Sequence, residues 1–158
     1  MIHLVGMADL KIATEENELR TFGLGSCVGL ALYDERAHIA GLAHIMLPTS
    51  PSAAPPHVAK YVNTAVPRLA SLLIEQGATK RRLCAKLAGG AQMFAMASGI
   101  DLIRVGPRNV EAAQEALRSL GIPLVAADVG GRYGRTVTLE CLTGKLWIRS
   151  VQCGERCI

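Results

Sequence analysis

The sequence predicts a mixed α and β protein. Three observations carry that expectation: apolar runs paired across short polar turns, two segments with apolar residues at helical spacing, and glycine near the ends of both kinds of segment. A chain of 158 residues suits one domain, spanning 1–158, with 153–158 as a short C-terminal tail.

Taken in order, residues 2–13 alternate loosely between apolar and polar, with Gly6 as a bulge or break. Residues 28–33 and 38–47 read as two strands of a hairpin around Asp34-Glu-Arg-Ala37. Residues 48–56, with four prolines, form a loop. Val58, Tyr61, Val62, Ala65, Val66, Leu69, Leu72 and Leu73 then recur at helical spacing, and Gly77 suits the stop. Pro67 inside that pattern predicts a kink or a restart. Residues 83–87 make a short buried strand running into Gly89-Gly90. Val110, Ala113, Leu117 and Leu120 mark a second helix, starting near Asn109 and ended by Gly121. Residues 122–129, 136–142 and 146–151 are strands, the last two flanking a tight turn at Thr143-Gly-Lys145.

Composition excludes several classes of function. Half the residues are hydrophobic and 19% are charged, unlike a disordered tail or an acidic activator. Aromatic residues make up 4%, too few for a single-strand binder that stacks bases. No apolar run approaches the length of a membrane span, and the start lacks a basic segment followed by an apolar one. The five scattered cysteines suit a reducing cytoplasm better than a disulfide framework. Residues 1–35 hold six acidic and two basic side chains, and the rest hold seven and fifteen. No nucleic-acid motif accompanies that excess, so it reads as a solvated basic face or a surface for an acidic protein partner.

Gly23-Leu-Gly-Ser-Cys27 is the strongest candidate site, with His44 on the following strand. A cysteine thiolate is an intrinsically strong nucleophile. Glycines beside it let backbone amides, such as those of Gly25 and Ser26, converge on an oxyanion. A turn centred between Glu35 and Arg36 sets Cys27 directly opposite His44 on one sheet face. A slip of one residue would separate them. From the residues alone, a catalytic pair and a buried cysteine beside a core histidine both stand open.

Taken together, Thr21-Phe-Gly-Leu-Gly-Ser-Cys27-Val-Gly, Gly41-Leu-Ala-His44-Ile-Met-Leu-Pro48, Lys60-Tyr61, Ala85-Lys-Leu-Ala-Gly-Gly-Ala91, Arg108-Asn-Val110 and Asp128-Val-Gly-Gly131 resemble the CheD family of bacterial chemotaxis. The resemblance implies a chemoreceptor glutamine deamidase that hydrolyses receptor glutamines to glutamate and releases ammonia, without a cofactor. It also implies a four-layer α/β/β/α sandwich, similar to the catalytic domain of cytotoxic necrotizing factor toxins. By motif match, the nucleophile is Cys27, the general acid and base His44, and the third catalytic residue Thr21. The expected partners are methyl-accepting chemotaxis receptors and a CheC-type phosphatase. A non-enzymatic adaptor that binds the phosphatase is the alternative. Pro67 and Gly106-Pro107 depart from the family pattern.

Other residues read as structural. Gly89-Gly-Ala91 is a turn needing positive φ that could approach the site, and Asp128-Val-Gly-Gly-Arg132 is a loop after a strand. Cys84 and Cys141 fall in apolar strands. Cys153 and Cys157 lack a paired ligand motif, so no metal site is expected. Met93, Phe94 and Met96 read as core.

Overall fold

The computed structural model describes residues 1–93 and 104–158. Among the described residues, ten strands form two five-stranded sheets. One sheet has the order β1 (Ile2–Leu4), β3 (Glu18–Leu24), β8 (Arg135–Glu140), β9 (Leu146–Ser150) and β10 (Gly154–Cys157). The other runs β2 (Asp9–Thr14), β5 (Ile39–Ile45), β4 (Val28–Asp34), β6 (Cys84–Gly89) and β7 (Leu124–Val129). Among the described residues, the helices α1 (Val62–Glu75) and α2 (Val105–Leu120) lie against the second sheet.

The central strands of the second sheet, β4 and β5, serve two cores. Val28, Leu30, Leu32, Ile39, Ala43 and Ile45 point to the helices, where Val66, Leu69, Leu73 and Leu117 complete one buried cluster. The alternate residues Cys27, Ala31, Tyr33, Ala40 and Leu42 point to the first sheet and pack with Leu19, Leu24, Val137, Leu139 and Ile148. Burial on both faces explains why β4 and β5 carry almost unbroken apolar runs.

The α+β sandwich is as expected, but the described residues account for three of the four layers. Both helices cover the same sheet. Arg20, Phe22, Thr136, Thr138 and Arg149 line the outer face of the other sheet, the alternation of an antiparallel sheet with one wet face. The break at Gly6 is a change of sheet: β1 pairs with β3, and β2 pairs with β5. Residues 153–158 are not a free tail. Gly154–Cys157 pair with β9, and Ile158 exchanges two backbone hydrogen bonds with Leu146.

Other boundaries shift for local reasons. Pro67 neither ends nor restarts α1. It lies on the exposed side of the second turn, its fixed φ suits a helix, and only the bond to the Asn63 carbonyl is forgone. Helix α2 begins before Asn109, with Pro107 in the first turn, where an amide would lack a helical partner anyway. Gly121 ends it at φ 70°. The last hairpin turn is longer than Thr143-Gly-Lys145, since Leu139 pairs with Leu146.

Candidate active site

The β4–β5 register decides where Cys27 and His44 meet. The turn is centred one residue later than the sequence suggests, because the Asp34 carboxylate accepts the amides of Arg36 and Ala37 and holds a longer loop. Asp34 pairs with Ile39, and His44 therefore faces Gly29 rather than Cys27. That is a shift of two residues along the partner strand, so the face is preserved. Cys27 and His44 are diagonal neighbours on the inter-sheet side. Such neighbours lie about 7–8 Å apart between Cα atoms, a gap that long side chains span.

Thr21 comes from the opposite sheet. It sits within β3, opposite Val137, and the ladder then slips so that Leu24 faces Arg135. The slip is a bulge at Phe22-Gly23, with Gly23 at φ 68°. Three residues apart, Thr21 and Leu24 would face opposite sides of a regular strand. The bulge turns both inward, and each is fully buried.

The Thr21 hydroxyl assigns the histidine protons. Thr21 Oγ1 lies 2.7 Å from the Val5 carbonyl oxygen and 2.7 Å from His44 Nδ1. The carbonyl can only accept, so the single hydroxyl proton goes to Val5. His44 Nδ1 must then donate to Thr21 Oγ1, which leaves Nε2 with a bare lone pair. His44 Nε2 is buried and has no hydrogen-bond partner among the described residues. Burial also holds the His44 pKa below the ordinary histidine value, favouring the neutral ring.

Cys27 occupies the crossing between the sheets. Its carbonyl accepts from Gly90 N at 2.9 Å, and the Gly25 carbonyl accepts from Ala91 N at 2.8 Å. A Cβ on Gly89, which has φ 99°, would stand 2.4 Å from the Cys27 carbonyl oxygen, so only glycine fits there. Gly89-Gly-Ala91 is a positive-φ turn as favoured, and its amides also hold the Cys27 loop. Of the two suggested oxyanion residues, Gly25 supports the loop, because its amide is occupied by the Gly23 carbonyl at 3.1 Å. The Ser26 amide has no partner among the described residues.

The Cys27 thiol is buried, and burial raises its pKa, offset in part by its own backbone amide. Thiol and imidazole are thus both neutral at rest.

Two further groups at the site are not legible from residue pattern. The Val5 carbonyl acts through backbone and leaves no side-chain signal. Asn109, expected near a helix start, instead lies one turn inside α2 and is fully buried, its Nδ2 donating to the Ser26 carbonyl at 3.0 Å and the Met46 carbonyl at 2.9 Å. Its spacing from Ala113 and Leu117 was the available clue: a polar residue in phase with a buried stripe.

The family model for CheD chemotactic sensory transduction matches residues 46–150. The chain is 51% identical over 154 residues to the chemoreceptor glutamine deamidase CheD of Halalkalibacterium halodurans, covering 96% of this chain and 95% of that one. The chain belongs to the CheD family. It is 49% identical over 156 residues to the chemoreceptor glutamine deamidase CheD of Bacillus subtilis, covering 98% of this chain and 94% of that one. A probable chemoreceptor glutamine deamidase CheD of Desulfitobacterium hafniense matches at 46% over 154 residues, covering 98% and 96%. Thr21, Cys27 and His44 precede the part matched by the CheD model, but relatives that align with nearly the whole chain extend across them.

The remaining cysteines and histidines stay outside this CheD site. Cys141 is buried, with its pKa pushed up to about 11 by desolvation, and Cys84 is half-buried. Cys153 and Cys157 are exposed. His3 Nε2 contacts Asn17 Oδ1, His38 Nδ1 contacts the Leu142 carbonyl, and His57 makes no side-chain cap bond. Among the described residues, no three His, Cys, Asp or Glu side chains gather as a metal site. Met93 is exposed rather than core and lies over Gly25, while Phe94 and Met96 fall outside the described residues. No helix among the described residues is long and apolar enough to cross a membrane.

Proposed function

We propose that this CheD-family chain is a chemoreceptor glutamine deamidase in which Cys27 is the nucleophile, His44 the proton carrier and Thr21 the residue that orients it. The carrying observation is the Val5–Thr21–His44 chain, which leaves Nε2 as an unpaired base on the side of the sandwich where Cys27 lies.

The reaction begins as Cys27 Sγ attacks the side-chain amide carbon of a glutamine and its proton passes to His44 Nε2. The amide oxygen becomes an oxyanion, for which the Ser26 and Cys27 amides are the donors at hand. The carbon–nitrogen bond then breaks, His44 returns the proton to nitrogen, and ammonia leaves a thioester on Cys27. Water attacks the thioester, giving a proton to Nε2. The carbon–sulfur bond breaks, the sulfur regains that proton, and glutamate departs. The sum is glutamine plus water to glutamate plus ammonia, and every proton is carried by groups of this chain.

The relatives are chemoreceptor glutamine deamidases by name, which supports a receptor glutamine as the substrate. A protein substrate also suits the surroundings. Met93 is 43% exposed and Leu47 36%; they flank Gly25 and the end of β5 and offer apolar purchase to a receptor helix. The substrate would be the cytoplasmic portion of the receptor, with a CheC-type phosphatase as a second partner by family resemblance. The test incubates the protein with receptor cytoplasmic fragments and follows glutamine-to-glutamate mass shifts. Conversion by the wild type and none by Cys27→Ala is the expected result. Conversion by neither would remove the deamidase reading, and binding of the phosphatase by both would then favour the adaptor.

A further inference from the structure

Asn109 is oriented by its own contacts. Two carbonyl acceptors at 2.9 and 3.0 Å fix which end of the amide is nitrogen. Among the described residues its oxygen is buried without a partner, an arrangement that costs stability. The two carbonyls belong to Ser26, one residue before Cys27, and Met46, two residues after His44.

The peptide unit Ser26–Cys27 is planar and trans, so its carbonyl and its amide point in opposite directions. Fixing the Ser26 carbonyl therefore fixes the direction of the Cys27 N–H. A hydrogen bond to that carbonyl also polarises the same amide group and strengthens it as a donor. The Cys27 N–H belongs to the residue that carries the sulfur and partly offsets the rise in its pKa, so it is a donor at hand where a tetrahedral intermediate would form. The neighbouring peptide is held in the same manner, by Ala91 N on the Gly25 carbonyl.

We propose that Asn109 is a positioning residue of the deamidation: by holding the Ser26 carbonyl, it aims the Cys27 amide at the developing oxyanion. The proposal rests on Cys27 being the nucleophile.

The test prepares Asn109→Ala and Asn109→Ser in the full chain and measures three quantities. These are kcat and KM on a receptor cytoplasmic fragment, the rate of Cys27 alkylation by iodoacetamide across a pH series, and the melting temperature. One oxyanion donor is typically worth about 10²–10³ in kcat, and a misaimed donor should forfeit at least about 10-fold. KM should change little. Alkylation displaces iodide at a saturated carbon and builds no oxyanion, so its rate should fall far less than kcat, and its pH midpoint should move only upward, by as much as the amide's hold on the sulfur is weakened. An unchanged kcat would overturn the proposal. So would alkylation falling in step with kcat, which would make Asn109 a spacer between sulfur and imidazole. Failure of both variants to fold would make it a structural clamp and overturn the proposal as well. Deamidation by Cys27→Ala in the same assay would instead remove the nucleophile reading beneath it.

Discussion

Thr21 Oγ1 on β3 stands 2.7 Å from His44 Nδ1 on β5, so a single hydrogen bond joins the two sheets at the candidate site. The hydroxyl's proton is committed to Val5, which makes Thr21 an obligatory acceptor toward the ring. Thr21→Val keeps the shape but removes both bonds. The ring is then free to take the other tautomer, with Nε2 protonated and no longer a base. General base catalysis is worth about 10²–10⁴-fold, and loss of the orienting bond should forfeit at least about 10-fold of it in kcat/KM. Thr21→Ser retains the hydroxyl and should stay within a few-fold of wild type. Equal activity in the Val and Ser variants would show that the hydroxyl does not set the tautomer.

Removing His44 itself is the stronger cut. His44→Ala deletes the group that takes the thiol proton, protonates ammonia and activates water. Deamidation should drop by at least about 10²-fold. The side chain faces glycine across the ladder and lies in the inter-sheet layer, away from the helical face, so a partner docked elsewhere should still bind. Measuring both properties on one preparation separates enzyme from adaptor. Activity within a few-fold of wild type would make His44 structural.

Much of this arrangement was legible in the sequence, and the exceptions have physical causes. Val28, Leu30 and Leu32 announced β4 because burial on both faces leaves no polar interruption. Strand β3 was harder to see, since the bulge at Phe22-Gly23 breaks the two-residue period and its key inward residue is a threonine. The Cys27–His44 pairing was read with the right face but the wrong register, because the length of the turn is set by Asp34 accepting amides, which apolar patterning does not report. The third wall of the site was hidden for a related reason. Contacts such as Asn109 to Ser26 span 83 residues, and nothing local announces them.

Backbone approach provides a test that leaves the reacting side chains untouched. Gly89→Ala would place a methyl 2.4 Å from the Cys27 carbonyl oxygen at φ 99°. Backbone strain of this kind costs about 1–3 kcal/mol, and the clash pushes on the loop that holds the nucleophile. The melting temperature should fall, and deamidation should fall further than the loss of folded protein explains. Gly121→Ala serves as the control: it is also at positive φ, ends α2 and has open space around it. It should lower stability and leave the activity of the folded fraction near wild type. Loss of activity in the control to the same extent would show that Gly89 acts through stability alone.

The pH profile follows from two buried neutral groups. His44 must be neutral to accept the thiol proton, and burial places its pKa below the ordinary histidine value. Protonation below that pKa switches the base off, so the acid limb of kcat/KM should have its midpoint below where an exposed histidine would put it. The Cys27 thiol lies on the other side, its pKa raised by burial. Between the two values, both groups hold the protons that the first step requires, giving a broad plateau through neutrality. A thiolate–imidazolium pair would behave differently, with a thiol pKa depressed below its ordinary value and rapid labelling at mildly acidic pH. Iodoacetamide labelling of Cys27 should therefore rise only as pH climbs above neutrality, and Cys141 should stay inert. Fast labelling of Cys27 at mildly acidic pH would overturn the neutral resting pair and replace it with a preformed ion pair.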